Sequence, residues 1–220
     1  MCIWSTVGPE EDTGVDVIVN NKSERALKGY YGRMRLFKQY GYDMMKARSF
    51  LLNKSGIKNS SVLEVGTGRG HLAVGLAKKG IRFVTIDLDR KVLFLARRNL
   101  KGHGVLKFAC IKLMDARKLN FRDEEFDHVI SSNFIHHAKY PEQCIKEMIR
   151  VARRSITIAD LNKRGEAIMS KVHQLDGRKH ARSLLSLKGI KEQLDRSGLD
   201  VKVHRDTCQT VLVAKKRIKL

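Results

Sequence analysis

Between Val62 and His71 the chain reads Val-Leu-Glu-Val-Gly-Thr-Gly-Arg-Gly-His, an apolar strand running into a turn with glycine at every second position and then into a helix. Few folds accommodate such a segment. Glycine accepts positive φ and lets a ligand approach the backbone closely. The helix behind the turn presents free N–H groups and a partial positive charge. After Gly56 short apolar runs (Ser61–Val65, Arg82–Ile86, Val105–Leu113, His128–Ser132, Ser155–Ala159) alternate with helical stretches (His71–Lys79, Lys91–Leu100, Pro141–Ala152, Leu187–Ser197). This rhythm predicts βαβ units, hence a mostly parallel sheet with helices on both faces. Val201–Arg205 and Thr210–Ala214, separated by a short turn, predict an antiparallel pair closing one sheet edge.

Ahead of this region, residues 1–20 show no period and carry Glu10, Glu11, Asp12 and Asp16, which predicts an irregular lead. Apolar residues spaced at three and four from Ser23 to Leu52 predict helices, broken at Gly41. The expected division is an N-terminal lead with lid helices over 1–54 and a main domain over 55–220. Within the latter, 161–186 has few large apolar residues and reads as a substrate-side insertion over the strand ends.

With 42% hydrophobic and 30% charged residues, the 220-residue chain has a globular composition and can bury a substantial core. No apolar run approaches the ~20 residues needed to span a bilayer, so no membrane partner is expected. Met1-Cys2-Ile3-Trp4 does not start a secretion signal, and the four cysteines contain no CxxC pair, so the expected home is a reducing cytoplasm. The net charge of +21 is the unusual quantity. It is not confined to a tail, since residues 61–120 carry 13 basic and 4 acidic side chains. Such a field attracts anionic partners without naming them; RNA and an acidic protein are both open, as is a merely solvated surface.

A second chemical signal follows the glycine turn. The run Phe83-Val84-Thr85-Ile86 ends in Asp87, with Leu88 and Asp89 beyond it. A carboxylate at the tip of the second strand can accept both hydroxyls of a ribose, and strand ends in an open α/β sheet line the ligand crevice. Gly68-Arg69-Gly70-His71-Leu72-Ala73 also satisfies G-x-G-x-x-A, so a nicotinamide oxidoreductase is a competing reading of the loop alone.

The motifs downstream separate the two. Glu64-x-Gly66-x-Gly68-x-Gly70, Ile86-Asp87, Met114-Asp115-Ala116 and Phe126-Asp127-His128-Val129-Ile130-Ser131 stand in the order and spacing of class I S-adenosylmethionine-dependent methyltransferases, which the chain resembles over residues 55–160. The run Ser132-Asn133-Phe134-Ile135-His136-His137 before Pro141-Glu142 resembles the branch acting on small molecules and quinone precursors. The resemblance implies a three-layer α/β/α Rossmann-like fold with a seven-stranded sheet. It also implies S-adenosylmethionine as cofactor and S-adenosylhomocysteine as product. Glu64 and the loop Gly66, Thr67, Gly68 and Gly70 would hold the amino-acid end of the cofactor. Asp87, with Leu88, would hold the ribose; Asp115 and the Ala116 N–H would face the adenine; Ser132 would close the pocket under the methionine. Where many relatives have a Gly-Gly turn before the fifth strand, this chain has Val151-Ala152-Arg153-Arg154-Ser155.

An acceptor that must lose a proton needs a base. His137 is the first candidate, Asp160 at the end of the fifth strand could orient the acceptor, and Tyr31 on the lid helices could close over it. His173, Asp176 and His180 have helical spacing but make a thin metal set. The Asn-Pro-Pro-Tyr and Pro-Cys runs that nucleic-acid methyltransferases often carry after the fourth strand are absent here, which favours a small or medium, possibly anionic acceptor. The charge favours RNA or acidic protein, and a cofactor-binding regulator without turnover is the reading from another class.

Overall fold

A computed structural model describes residues 29, 31–58, 60–175, 177 and 185–217. The expected irregular lead over 1–20, and Asp176 and His180, lie outside the described residues. Helix α1 covers 31–39, and α2 covers Met44–Ser55. They are separated at Gly41, whose φ of 90° a glycine supplies without strain. Asp43 caps α2 by accepting from the Met45 and Lys46 N–H groups, which would otherwise be unpaired at the first turn.

The main domain alternates strand and helix as the apolar rhythm predicts. Its strands are β1 (Val62–Val65), β2 (Phe83–Asp87), β3 (Ala109–Leu113), β4 (Phe126–Ser132), β5 (Ala152–Leu161), β6 (Asp200–Arg205) and β7 (Gln209–Lys215). Its helices are α3 (His71–Lys78), α4 (Arg90–Gly102), α5 (Pro141–Val151), α6 (Lys163–Leu175) and α7 (Leu187–Arg196). The seven strands stand in the order β3-β2-β1-β4-β5-β7-β6. Strands β1 to β5 pair in parallel, whereas β7 runs antiparallel to both β5 and β6. The order reverses between β1 and β4, and the carboxyl ends of these strands form the crevice.

The two-residue period of the strands divides the core. Leu63, Val65, Val129 and Ile156 pack on one face with Ile145 and Met148 of α5 and Leu194 of α7. Val62, Phe83 and Ile130 pack on the other with Leu51 of α2, Leu72 and Leu76 of α3 and Leu100 of α4. A third cluster joins Met34 and Phe37 of α1 to Met44 of α2 and to Met169 and Val172 of α6.

Three expected boundaries move. The run beginning at Val105 opens with a short 3-10 turn, Leu106–Phe108, and only Ala109–Leu113 pairs with β2. Strand β5 extends two or more residues beyond each end of Ser155–Ala159, because it lies between β4 and β7 and both ladders continue. Helix α5 passes into β5 without a turn residue, consistent with the missing Gly-Gly. Half of the expected insertion, Lys163–Leu175, is the regular helix α6, whose apolar residues face the α1–α2 layer. No described helix is long and apolar enough to cross a membrane.

Candidate active site

The turn after β1 is fixed by backbone hydrogen bonds before any ligand is considered. Gly66 N–H and Thr67 N–H both donate to the Ile86 carbonyl at 3.0 Å, and Gly70 N–H donates to the Thr67 carbonyl at 2.8 Å. Gly66, Gly68 and Gly70 have φ of 84°, 50° and 77°, in the left-handed region where an L side chain is strained. Gly70 has a packing role as well: a Cβ there would stand 3.0 Å from that of Ala96, so its absence lets α3 approach α4.

The turn opens onto a cleft of about 740 Å³ at the carboxyl ends of the strands. Gly66, Gly68, Asp87, Leu88, Asp115, Ala116, Asn133, Phe134 and His137 lie on its wall. Asp87 is held by two backbone donors, Gly68 N–H at 2.8 Å and Asp89 N–H at 3.1 Å, one on each carboxylate oxygen. Each oxygen keeps acceptor capacity on the cleft side, as a ribose diol requires. Asp115 is more heavily engaged. Arg117 donates to it from the backbone, Nε and Nη2 at 2.6–3.1 Å, and these bonds hold its carboxyl below the usual range. An adenine amino group reaching Asp115 has to share it with Arg117, whereas Ala116 lies on the wall unencumbered by a long side chain.

Several expected site residues lie elsewhere. Glu64 is 1% exposed and does not line the cleft. Strand alternation turns it towards α3, where it accepts from Thr85 Oγ1 at 2.7 Å, its register partner on β2. Burial pushes its carboxyl up to about 8, against the lowering effect of the Thr85 hydrogen bond and helped by the charge of Asp87. Glu64 therefore braces the turn from beneath. Thr67 is buried in the same network, its Oγ1 2.6 Å from that of Thr85. Ser132 ends β4 in register with Ala159, and the cleft wall there belongs to the next two residues. Tyr31 lies away from the cleft, bonded through its hydroxyl to His103 Nε2 at 3.0 Å behind α4. His173 is on α6, and among the described residues no group of three His, Cys, Asp or Glu is placed to hold a metal.

Two features escaped the sequence reading. Phe134 packs so tightly on the glycine turn that a Cβ at Gly66 would stand 2.6 Å from it. Asp160 is 4% exposed and bonds His136: one oxygen accepts from the His136 backbone N–H at 3.1 Å, and the other contacts its ring Nδ1. The His136 ring lies 3.9 Å, centroid to centroid, from that of His137 on the cleft wall. Asp160 is thus linked to the cleft wall through His136 and then His137. A buried acid beside an adjacent histidine pair was the available signal, but only the sheet brings residues 24 apart together.

Residues 63–159 match the methyltransferase domain family. Phosphatidylethanolamine N-methyltransferase of Cereibacter sphaeroides is 32% identical over 105 residues, covering 48% of this chain and 51% of that protein. A ubiquinone/menaquinone biosynthesis C-methyltransferase, UbiE of Pseudomonas fluorescens, is 28% identical over 132 residues, covering 57% and 52%. The chain thus spans about half the length of these curated relatives. Among solved structures, a SAM-dependent methyltransferase from Aquifex aeolicus superposes with a TM-score of 0.61 at 20% identity, over 76% of this chain and 88% of that one, which speaks for the fold. The glycine turn and the Asp87 strand tip both lie within residues 63–159, the segment that is similar to a methyltransferase domain, and the strand order is that of a fold shared with solved methyltransferases.

Proposed function

We propose that this protein transfers the methyl group of S-adenosylmethionine to a small or medium acceptor, in the cleft beside His137. The observation that carries the reading is the cleft itself, which joins an open glycine turn, a carboxylate with diol-accepting capacity and a histidine on one wall. Its volume of about 740 Å³ leaves room for a second small molecule beside a nucleoside. S-adenosylmethionine, when bound, supplies a methyl group already activated on a sulfonium sulfur.

The chain then has to bind, align and keep water out. Asp87 takes the ribose hydroxyls, Gly66 and Gly68 let the amino-acid end approach the backbone, and Ala116 and Asp115 border the adenine. Alignment of two bound reactants can supply ~7–11 kcal/mol of rate enhancement. Where the acceptor is a hydroxyl or an ammonium, His137 takes its proton. Asp160 and His136 act as positioning residues: they are buried and mutually bonded, and they fix the ring on which His137 leans.

The decisive experiment incubates protein and methyl-labelled cofactor with cell extract and asks where label accumulates. Label in the small-molecule pool supports the proposal, and label confined to RNA or protein overturns its acceptor class. Titration with S-adenosylhomocysteine giving no heat would remove the cofactor reading altogether.

A further inference from the structure

The outward face of α4 brings a row of cations together with an exposed aromatic ring. Arg90, Lys91, Phe94, Arg97, Arg98 and Lys101 are set at helical intervals that place all six within an arc of about 120°. Leu93, Ala96, Asn99 and Leu100 occupy the opposite side and are buried. The helix contains no acidic residue. Among the described residues no ion pair involves Arg90, Lys91, Arg97 or Lys101. The amphipathic helix α7 makes the contrast. There Lys188 meets Glu192 at 3.6 Å and Lys191 meets Asp195 at 2.6 Å, so both lysines are answered within the same helix.

In the middle of the α4 cations stands Phe94, 62% exposed, with the Arg98 guanidinium 5.8 Å from its ring centroid. An exposed aromatic ring set among cations is the arrangement by which proteins hold a nucleic-acid strand: phosphates on the charges, a base on the ring. Arg90 to Lys101 spans roughly 16 Å along the axis, enough for several nucleotides of an extended strand. A duplex would hide its base faces from Phe94. A lipid surface would require a broad apolar face, and along β2 and α4 the exposed large apolar side chains are Leu88 and Phe94 alone.

We propose that the outward face of α4 binds single-stranded nucleic acid, with phosphates on Arg90, Lys91, Arg97 and Lys101 and a base stacked on Phe94. Helix α4 starts at the cleft, where its cap Asp89 and its residue Val92 line the wall, so a strand lying on it is held beside the mouth. This surface is a docking site whether or not the strand is the methyl acceptor, and it goes beyond the activity proposed above.

The test is fluorescence anisotropy of the full chain with a labelled single-stranded oligonucleotide of about 12 residues, across a salt series. Four phosphate contacts predict a slope of log affinity against log salt near −3. Arg97→Glu with Lys101→Glu should weaken binding at least tenfold and flatten that slope by about 1.4. Phe94→Ala should weaken binding by roughly 5- to 150-fold with the slope unchanged. S-adenosylhomocysteine titration and melting temperature, unchanged in these surface variants, show that the variants fold. Retention of wild-type affinity by the folded variants overturns the proposal, as does tighter binding of the matching duplex. Absence of oligonucleotide binding together with α4-dependent binding to phosphatidylglycerol vesicles also overturns it. Failure of methyl transfer in the extract experiment leaves this reading intact, so the two fail separately.

Discussion

The two ends of the sheet treat their acids in opposite ways. At the amino ends of β1, β4 and β5, Asp127 accepts from the Ser61 backbone and hydroxyl at 3.1 and 3.0 Å and from Arg153 at 2.7 Å, with Arg154 at 3.1 Å. Nearby, Arg150 bridges Glu147 and Asp123. Each of these acids has a guanidinium partner. At the carboxyl ends, Asp87 is held by backbone N–H groups, Glu64 by a hydroxyl and Asp160 by His136, while Asp115, paired with Arg117, is the exception. Backbone and hydroxyl donors fix a carboxylate while leaving it able to accept more, whereas paired guanidinium groups saturate it. One end of the sheet is built for stability, and the other is left incomplete for a ligand.

The sharpest test of this contrast is Glu64. Its native carboxyl titrates near 8, above its ordinary value, because burial disfavours the anion. Between the two values the native state holds a proton that the unfolded chain has lost, so stability falls as pH rises through that window. The expected loss between about pH 5 and pH 8 is on the order of 4 kcal/mol, read from urea midpoints. Glu64→Gln, which cannot ionise, should flatten the profile. An unchanged slope would show that Glu64 is not the group responsible.

Gly66→Ala should be nearly as severe. A left-handed φ costs an L residue roughly 1–2 kcal/mol, and collision with Phe134 adds about 1–3 kcal/mol. Adding Phe134→Ala should recover the second part only. Asp87→Ala should weaken S-adenosylhomocysteine binding about a hundredfold in a calorimeter, the loss of two charge-assisted bonds to a diol. Its stability should change less than its affinity.

The smallest effect belongs to the other end. Hydrogen bonds from Arg153 and Ser61 outweigh burial and hold Asp127 at about 2. Its contribution is therefore full above the ordinary carboxyl value and lost as pH falls towards 2. Asp127→Asn should cost about 1–2 kcal/mol near neutrality, reduced because Arg153 and Arg154 are largely exposed. The cost should vanish in acid, and cofactor binding should remain as it was. A variant that lost affinity instead would break the division between the two ends.

The order of strands and helices was legible in the sequence because each element carries its own periodicity and its own stop signal. Gly41, the glycine turn and the antiparallel closure at 206–209 all fell where local chemistry put them. Asp87 was legible too, as the last residue of an apolar run, and it lies on the cleft.

Which way a side chain faces is another matter. Glu64 sits in the glycine motif, yet the parity of β1 and the register with Thr85 send it under the loop, a pairing across 21 residues that no local pattern encodes. Asp160 meets His136 and Phe134 covers Gly66 only because parallel strands bring distant loops to one edge of the sheet. Sequence by itself determined the fold, the turn and the carboxylate at the tip of β2, since these follow from short-range rules of period and φ. Tertiary structure decided which acids are buried and which line the cleft, because burial and pairing depend on neighbours supplied by other strands.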